Sequence, residues 1–411
     1  MEPLQVVPVS EARQVFLREI NTDHLATETV PLEKAFRRVL AEEVRAAEDI
    51  PAFPRATMDG YAVAAKDTFG ASEAMPAYLT VAGEVLMGRP YQGEVKPGEA
   101  VRIATGGMLP AGTDAVVMLE FTEEMPDGTV AVNKPVAPGE NVIQPGEDVA
   151  AGTEVLYPGR VIRGQEMGLL AALGRTRVKV YKRPRVGIIS TGDELVRPEA
   201  VPGPGQIRDI NSYSLLGQVY DAGGEGKIWG IVPDSYEQLL AVVRNALLQS
   251  DIVVISGGSS VGTRDITARV IQELGEPGIL VHGVSVRPGK PTILANVGGK
   301  PVVGLPGHPV SAMVIFDLFI RPAIARLMGA FVTASFRPCL TAKVKRNVAS
   351  AIGRADYVAV TLEEENGTVY AEPLLGKSGL ITTLVRADGL LFIPEEKEGL
   401  EEGEGAFVYL F

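Results

Sequence analysis

The sequence predicts a multidomain α/β plus β protein: a three-layer α/β domain with a mostly parallel sheet, an inserted β domain, a discontinuous helical domain and a C-terminal β-barrel. Three patterns carry that expectation. Between residues 183 and 328, apolar runs alternate with amphipathic stretches. Between 49 and 149, and again from 329 to 411, short valine-rich runs alternate with Gly and Pro turns. Helical patterns stand on both sides of the first of these β segments.

The chain begins with helical signals. "SEARQVFLREI" opens on Ser10 as an N-cap, and "PLEKAFRRVLAEEV" places Pro31 at the first position of a second helix. "DIPAFPRATMDG" then breaks any helix at Pro51 and Pro54. In the β segment, "PGEAV", "PGENV" and "PGEDV" recur as turns leading into strands. "RGQEMGLLAALG" is helical again and stops at Gly174, so residues 1–48 and 150–182 are expected to form one discontinuous domain around the insertion at 49–149.

From 183 to 328 the strands "RVGIIS", "KIWGIV", "DIVVIS" and "PVVGLPG" alternate with helices such as "SYEQLLAVVRNALLQS". Continuous apolar strands among amphipathic helices imply a sheet covered on both faces, whose ligands sit beyond the carboxyl ends of the strands. The last segment, with "NG" as a hairpin turn in "LEEENGTVYAEPLL", reads as a small barrel or sandwich.

Composition narrows the function. A net charge of -12 over 411 residues argues against a general nucleic-acid or anionic-membrane binder, since both need a cationic surface, and leaves room for a local basic pocket. The single cysteine, Cys339, excludes an internal disulfide framework and a Cys-rich metal site. "MEPLQVVPVSEARQVFLREI" lacks the pattern of a secretory signal, and "PVSAMVIFDLFI" is too short to span a bilayer, so a cytoplasmic location is expected.

Candidate chemistry gathers at strand ends. In "SGGSSVGTRD", Ser256, Gly257, Gly258 and Ser259 follow a strand and precede a helix, where backbone N–H groups and hydroxyls can converge on an anion. The loop has neither a P-loop nor a GxGxxG pattern, and an ordinary strand-to-helix turn with Asp265 as a helix-start acid accounts for the same residues. "IISTGDELV" supplies Asp193 and Glu194, and Asp234 follows "KIWGIVP". Asp193 and Glu194, Asp234 and the loop carrying Asp265 at one sheet edge suggest a hard cation such as Mg2+, shared with substrate phosphates, while a solvated turn acid that caps a helix accounts for any one of them. "VRPGKPTIL" sets Arg287 and Lys290 around a rigid turn suited to an oxyanion or to a basic surface hairpin. Asp59 and Thr105, taken alone, sit in turns between strands.

"MDGYAV", "RIATGGMLPAGTDAVV", "GENV…GEDV", "STGDEL", "GQIRDINSYSL", "SGGSSVGTRD", "RPGKP", "LPGHPVSAM" and "SGLITTLVRADGL" together resemble the molybdopterin molybdenumtransferase family, which also includes the carboxy-terminal domain of gephyrin. The resemblance spans essentially the whole chain. It implies a four-part subunit and a homodimer whose active site is shared between subunits. The implied substrates are adenylylated molybdopterin and molybdate, with Mg2+, giving molybdenum cofactor and AMP.

Carried over by residue, the resemblance puts pterin or phosphate on Ser256, Gly257, Gly258 and Ser259, and the metal and molybdate region on Glu194, Asp234 and Asp265. Arg287 and Lys290 meet anionic charge, Ser378 and Arg354 flank the same cleft, and Asp59 and Thr105 act from the partner subunit. A molybdopterin adenylyltransferase is an implied partner. The chain departs from the family pattern at Ile143 and Gln144, where arginines are frequent, and at Gly107, Gly283 and His308, the last replacing Asn. Two rival readings stay open at this point, a gephyrin-like scaffold and molybdopterin adenylylation itself.

Overall fold

The structure, a computed structural model, describes residues 6–23, 25–257, 261–331, 337–374 and 376–411, with the side chains of 261–265 outside the description. The chain forms two compact units. One comprises Met1–Ala41, Pro158–Arg163 and Arg177–Phe411, and the other Glu42–Tyr157 with Gly164–Thr176.

The first unit is organised by a six-stranded sheet of β1 (Arg185–Thr191), β2 (Glu225–Val232), β3 (Ile252–Gly257), β4 (Pro277–His282), β5 (Ile293–Val297) and β6 (Lys300–Leu305). The spatial order is β2-β1-β3-β6-β5-β4. The first four run parallel; β5 pairs antiparallel with β6, and β4 pairs antiparallel with β5 at the edge, so only β5 runs against the others. Side chains alternate between faces with a period of two. Val186, Ile188, Ile252 and Val254 enter one core, while Ile189, Val253 and Ile255 enter the other. Both faces are apolar because both are covered, which is why these strands read as continuous hydrophobic runs.

Helix α1 (Asn211–Asp221) and the segments at 309–327 cover the first face. Helices α2 (Tyr236–Gln249) and α3 (Val261–Leu274) cover the second. In α2 the buried residues Leu239, Val243 and Ala246 recur at helical spacing and define its inward stripe. The N-terminal helix Val9–Arg18 joins the first face, with Phe16 edge-on to Phe319 at 6.5 Å between ring centroids.

The C-terminal strands Cys339–Val344, Ala355–Glu365, Thr368–Pro373, Gly389–Ile393 and Gly405–Leu410 close into a five-stranded barrel, because Ala355–Glu365 pairs with Gly389–Ile393 as well as with its hairpin partner. The hairpin turns at Asn366 and Gly367, both at positive φ, the geometry that makes Asn-Gly a hairpin signal.

The second unit holds a six-stranded sheet in the order Ala115–Met118, Gly60–Val63, Glu99–Ile103, Ala77–Glu84, Thr129–Val132, Thr122–Glu124, together with helix Gly164–Ala172. Its three Pro-Gly-Glu turns are built alike. Gly98, Gly139 and Gly146 take positive φ, as the third position of a type II turn requires. In each, the residue before proline donates its N–H to the glutamate carboxylate: Lys96 to Glu99 at 2.9 Å, Ala137 to Glu140 at 2.8 Å, and Gln144 to Glu147 at 2.8 Å.

Two local expectations are corrected. The second helix expected from Pro31 is only a 3-10 turn, Leu32–Lys34. Arg37 adopts positive φ, and Val39 and Leu40 then bridge to Val161 and Val180, so the chain leaves the helical path to bury two aliphatic side chains. The first helix is preceded by Pro8 and begins at Val9, so Ser10 lies inside it and is not its cap.

Candidate functional site

The carboxyl ends of β1, β2 and β3 gather the acidic residues. Gly192, at φ +154, turns the chain out of β1, and the Glu194 side chain folds back over it, leaving a methyl group on Gly192 only 2.6 Å from Oε2. Thr191 Oγ1 donates to Asp234 Oδ1 at 2.9 Å, and the Asp234 backbone N–H donates to Asp193 Oδ1 at 3.2 Å. Burial pushes the Asp234 carboxyl above the ordinary carboxylate range; the Thr191 hydroxyl opposes that shift, and the charges of Asp193 and Glu194 add to it. Asp193, Glu194 and Asp234 therefore share one electrostatic neighbourhood.

Beside them, Ser256 is buried at the end of β3, and Gly257 follows at φ +146. A Cβ on Gly257 would lie 2.0 Å from the Thr191 carbonyl oxygen, so the two parallel strands end in a contact only glycine permits. Gly258 and Ser259 lie outside the described residues. Asp265 stands in the first turns of α3, with its side chain outside the description.

Behind these loops is a buried polar network. Ser190 Oγ donates to Asp209 Oδ1 at 2.9 Å, and the Ser212 N–H donates to the same oxygen at 3.1 Å. Asn211 Nδ2 donates to Ser256 Oγ and to the Gly307 carbonyl, each at 2.8 Å. Of these residues, Asp209, Asn211 and Ser212 carried no assigned role in the sequence. Their signals were the motif "GQIRDINSYSL" and its run of polar residues at the start of an amphipathic helix.

A cleft of about 730 Å³ opens next to Gly307. Arg287, Lys290, Arg354 and Lys377 line it together with His308 and Ser378. The α/β domain and the barrel meet here through Val286–Arg287, which pairs parallel with Ala355–Asp356. Asp356, almost wholly buried, accepts from Arg354 Nε at 2.9 Å and stands 3.5 Å from Arg287 Nη1. Among the described residues no carboxylate pairs with Lys290 or Lys377. His308 Nδ1 and Ser378 Oγ are hydrogen-bonded at 2.8 Å, giving the histidine a partner 70 residues away. Within the first unit, described side chains that were expected thus fall into two groups, Glu194, Asp234 and Ser256 (with Gly257) at the strand ends and Arg287, Lys290, Arg354 and Ser378 in the cleft.

In the second unit, Asp59 Oδ1 accepts from Thr105 twice, from the backbone N–H at 2.7 Å and from Oγ1 at 2.8 Å. These two bonds hold the Asp59 carboxyl below the ordinary range. The pair is exposed and forms a defined turn.

The carboxylates fit a hard divalent ion in part. Asp234 is disfavoured as an anion by burial and, secondarily, by its acidic neighbours, and a cation would offset both. Among the described residues no set of three or more His, Cys, Asp or Glu side chains is arranged to hold a metal alone. This donor set suits Mg2+ only with oxygens from a phosphorylated substrate.

Comparison with known proteins gives a consistent result. The chain matches the MoeA N-terminal region (domain I and II) over residues 7–174, a probable molybdopterin binding domain over 187–326, and the MoeA C-terminal region (domain IV) over 341–411. Molybdopterin molybdenumtransferase 2 of Mycobacterium tuberculosis is 37% identical, covering 90% of this chain and 91% of its own. The chain belongs to the molybdopterin molybdenumtransferase family. The Bacillus subtilis molybdopterin molybdenumtransferase is 32% identical over 93% of this chain and 90% of its own. The solved molybdopterin biosynthesis moeA protein of Pyrococcus horikoshii OT3 superposes with a TM-score of 0.81 at 34% identity, covering 99% of this chain and 100% of that one. As a family member, the protein is a transferase of molybdenum cofactor biosynthesis. None of its described helices is long and apolar enough to cross a membrane.

Proposed function

We propose that this molybdopterin molybdenumtransferase inserts molybdate into adenylylated molybdopterin, with Mg2+, and yields molybdenum cofactor and AMP. The observation that carries the reading is the cleft beside Gly307. Four cationic side chains line it, and its buried carboxylate, Asp356, is already engaged with two of them. Such a surface receives anions, and both proposed substrates are anionic.

Arg287 and Arg354, held from behind by Asp356, present guanidinium N–H groups to oxyanions, and Lys290 and Lys377 add mobile charge. The Ser256–Gly257 backbone and its continuation would receive pterin or phosphate. Glu194, Asp234 and Asp265 would hold Mg2+ with phosphate oxygens, and the ion would supply charge neutralisation at the phosphoanhydride. Cleavage of that anhydride transfers a phosphoryl group to an oxygen nucleophile and expels AMP, a reaction dominated by positioning and charge stabilisation. The sulfurs that capture molybdenum belong to the substrate, so no protein cysteine is required.

The same proposal includes a cytoplasmic homodimer in which Asp59 and Thr105 act from the partner subunit, and contact with a molybdopterin adenylyltransferase that supplies the adenylate. It also includes the four-part division at 1–48 with 150–182, 49–149, 183–328 and 329–411, which the three matched family regions support. The test is AMP release from adenylylated molybdopterin with Mg2+, with and without molybdate and without ATP, in the wild type, Asp234→Asn and Asp265→Asn. Molybdate-dependent release that collapses in both variants is expected. No release from folded wild-type protein overturns the reading.

A further inference from the structure

Asn211 is the first residue of α1 and is buried. Its Nδ2 reaches Ser256 Oγ at the end of β3 and the Gly307 carbonyl just beyond β6, both at 2.8 Å. Its own backbone is fixed from a third strand. Asp209 accepts from Ser190 of β1 and from the N–H of Ser212, the residue after Asn211. Strands β1, β3 and β6 are consecutive neighbours in the sheet. One short segment therefore braces three adjacent strand ends.

The amide orientation follows from its partners. A carbonyl oxygen only accepts, so the group facing Gly307 must be the NH2. This leaves Oδ1 buried and, among the described residues, without a donor. A buried acceptor without a partner is an unfavourable arrangement that packing does not require, because an aliphatic side chain fills the same volume without it. The donor function of Nδ2 is what Asn supplies here.

The brace also links the two halves of the site. Ser256 belongs to the strand-end loop proposed for pterin or phosphate. Gly307 lines the cationic cleft, and the next residue, His308, is hydrogen-bonded to Ser378 across that cleft.

We propose that Asn211 is a positioning residue for the transfer reaction: by tying Ser256 to Gly307 it fixes the spacing between the carboxyl end of β3 and the oxyanion cleft, so that two anionic groups are received in register. This rests on the transferase reading above. Asn211 touches no substrate and acts through Ser256 and Gly307.

Asn211→Asp keeps the shape and removes both donors, and Asn211→Ala guards against a fold defect peculiar to the buried acid. Misplacement of reacting groups by an ångström lowers rates about 100-fold, so kcat for molybdate-dependent AMP release is expected to fall about 10- to 100-fold in both variants. KM for both substrates stays close to the wild-type value. Amide hydrogen exchange at 252–257 and at 305–308 rises together, while the barrel strands keep wild-type protection. Unchanged kcat in both variants, or a rise in KM at constant kcat, overturns the positioning role. Exchange that rises at only one of the two segments overturns the brace. Absence of AMP release from the wild type overturns the transferase reading itself, and the positioning role with it.

Discussion

The hydroxyl of Thr191 donates to the carboxylate of Asp234 across 2.9 Å, joining the ends of two neighbouring parallel strands. That bond favours the ionised acid, yet burial and the charges of Asp193 and Glu194 leave Asp234 with a raised proton affinity. The folded state then binds this proton more tightly than the unfolded state, so the group's contribution to stability is fully present below the ordinary carboxylate pKa and is lost as pH rises through the folded value. Asp234→Asn is expected to raise the melting temperature at pH 7, with the gain shrinking as pH falls through the raised folded value and gone below the ordinary carboxylate pKa, while transferase activity drops. Calorimetry across that range checks it; a variant less stable than wild type at pH 7 refutes it.

Gly257→Ala sets a methyl group against the Thr191 carbonyl at 2.0 Å and forces a side chain into positive φ. Overpacking of this kind costs about 1–3 kcal/mol, and denaturant unfolding should report a loss in that range. Gly298→Ala is the contrast, since space around that turn is open and only its φ of +58 opposes the change.

Asp59 has the opposite titration behaviour. Its carboxyl is held low by Thr105, so the associated stability is present above the ordinary carboxylate pKa and is lost as pH falls through the depressed folded value. Thr105→Val removes the hydroxyl donor and keeps the backbone one. The Asp59 carboxyl should then titrate at higher pH than in wild type, though still below the ordinary range, as carboxylate NMR would show.

Asp356→Asn keeps the side-chain shape but takes the charge from between Arg354 and Arg287. Both arginines are partly exposed and can turn to water, so the stability loss should be modest, about 1–2 kcal/mol. The larger effect is expected in KM for the anionic substrates, because guanidiniums lacking a rear contact lose their fixed orientation. Steady-state kinetics with KM raised several-fold and kcat nearly retained is the expected pattern.

The elements most readily read from the sequence were those whose cause is local. Asn366-Gly367 turns a hairpin, the three Pro-Gly-Glu turns recur, and the central residues of β1 and β3 are apolar on both faces because helices cover both. The stretch after Pro31 misled because Leu32, Phe36 and Leu40 keep helical spacing, whereas Phe36 is exposed and Leu40 is buried only through a bridge to Val180. In the site, acids at strand ends were legible from chain order alone. The role of Asn211 was not, since its partners lie 45 and 96 residues ahead, and a polar residue before a helix reads as a cap.

The division of the chain imposes a timetable on synthesis. Every segment of the second unit has been made once Thr176 is added, whereas helix Val9–Arg18 belongs with strands and helices that emerge much later. Val7 takes its backbone partner from Gly283, and Arg13 from the carbonyl of Leu318. Until those residues leave the ribosome, Ala12, Phe16 and Ile20 have no core to enter. A nascent chain paused between Thr176 and Gly283 therefore holds every segment of the second unit, while the apolar face of residues 9–18 has no core to cover it, the kind of surface that chaperones shelter.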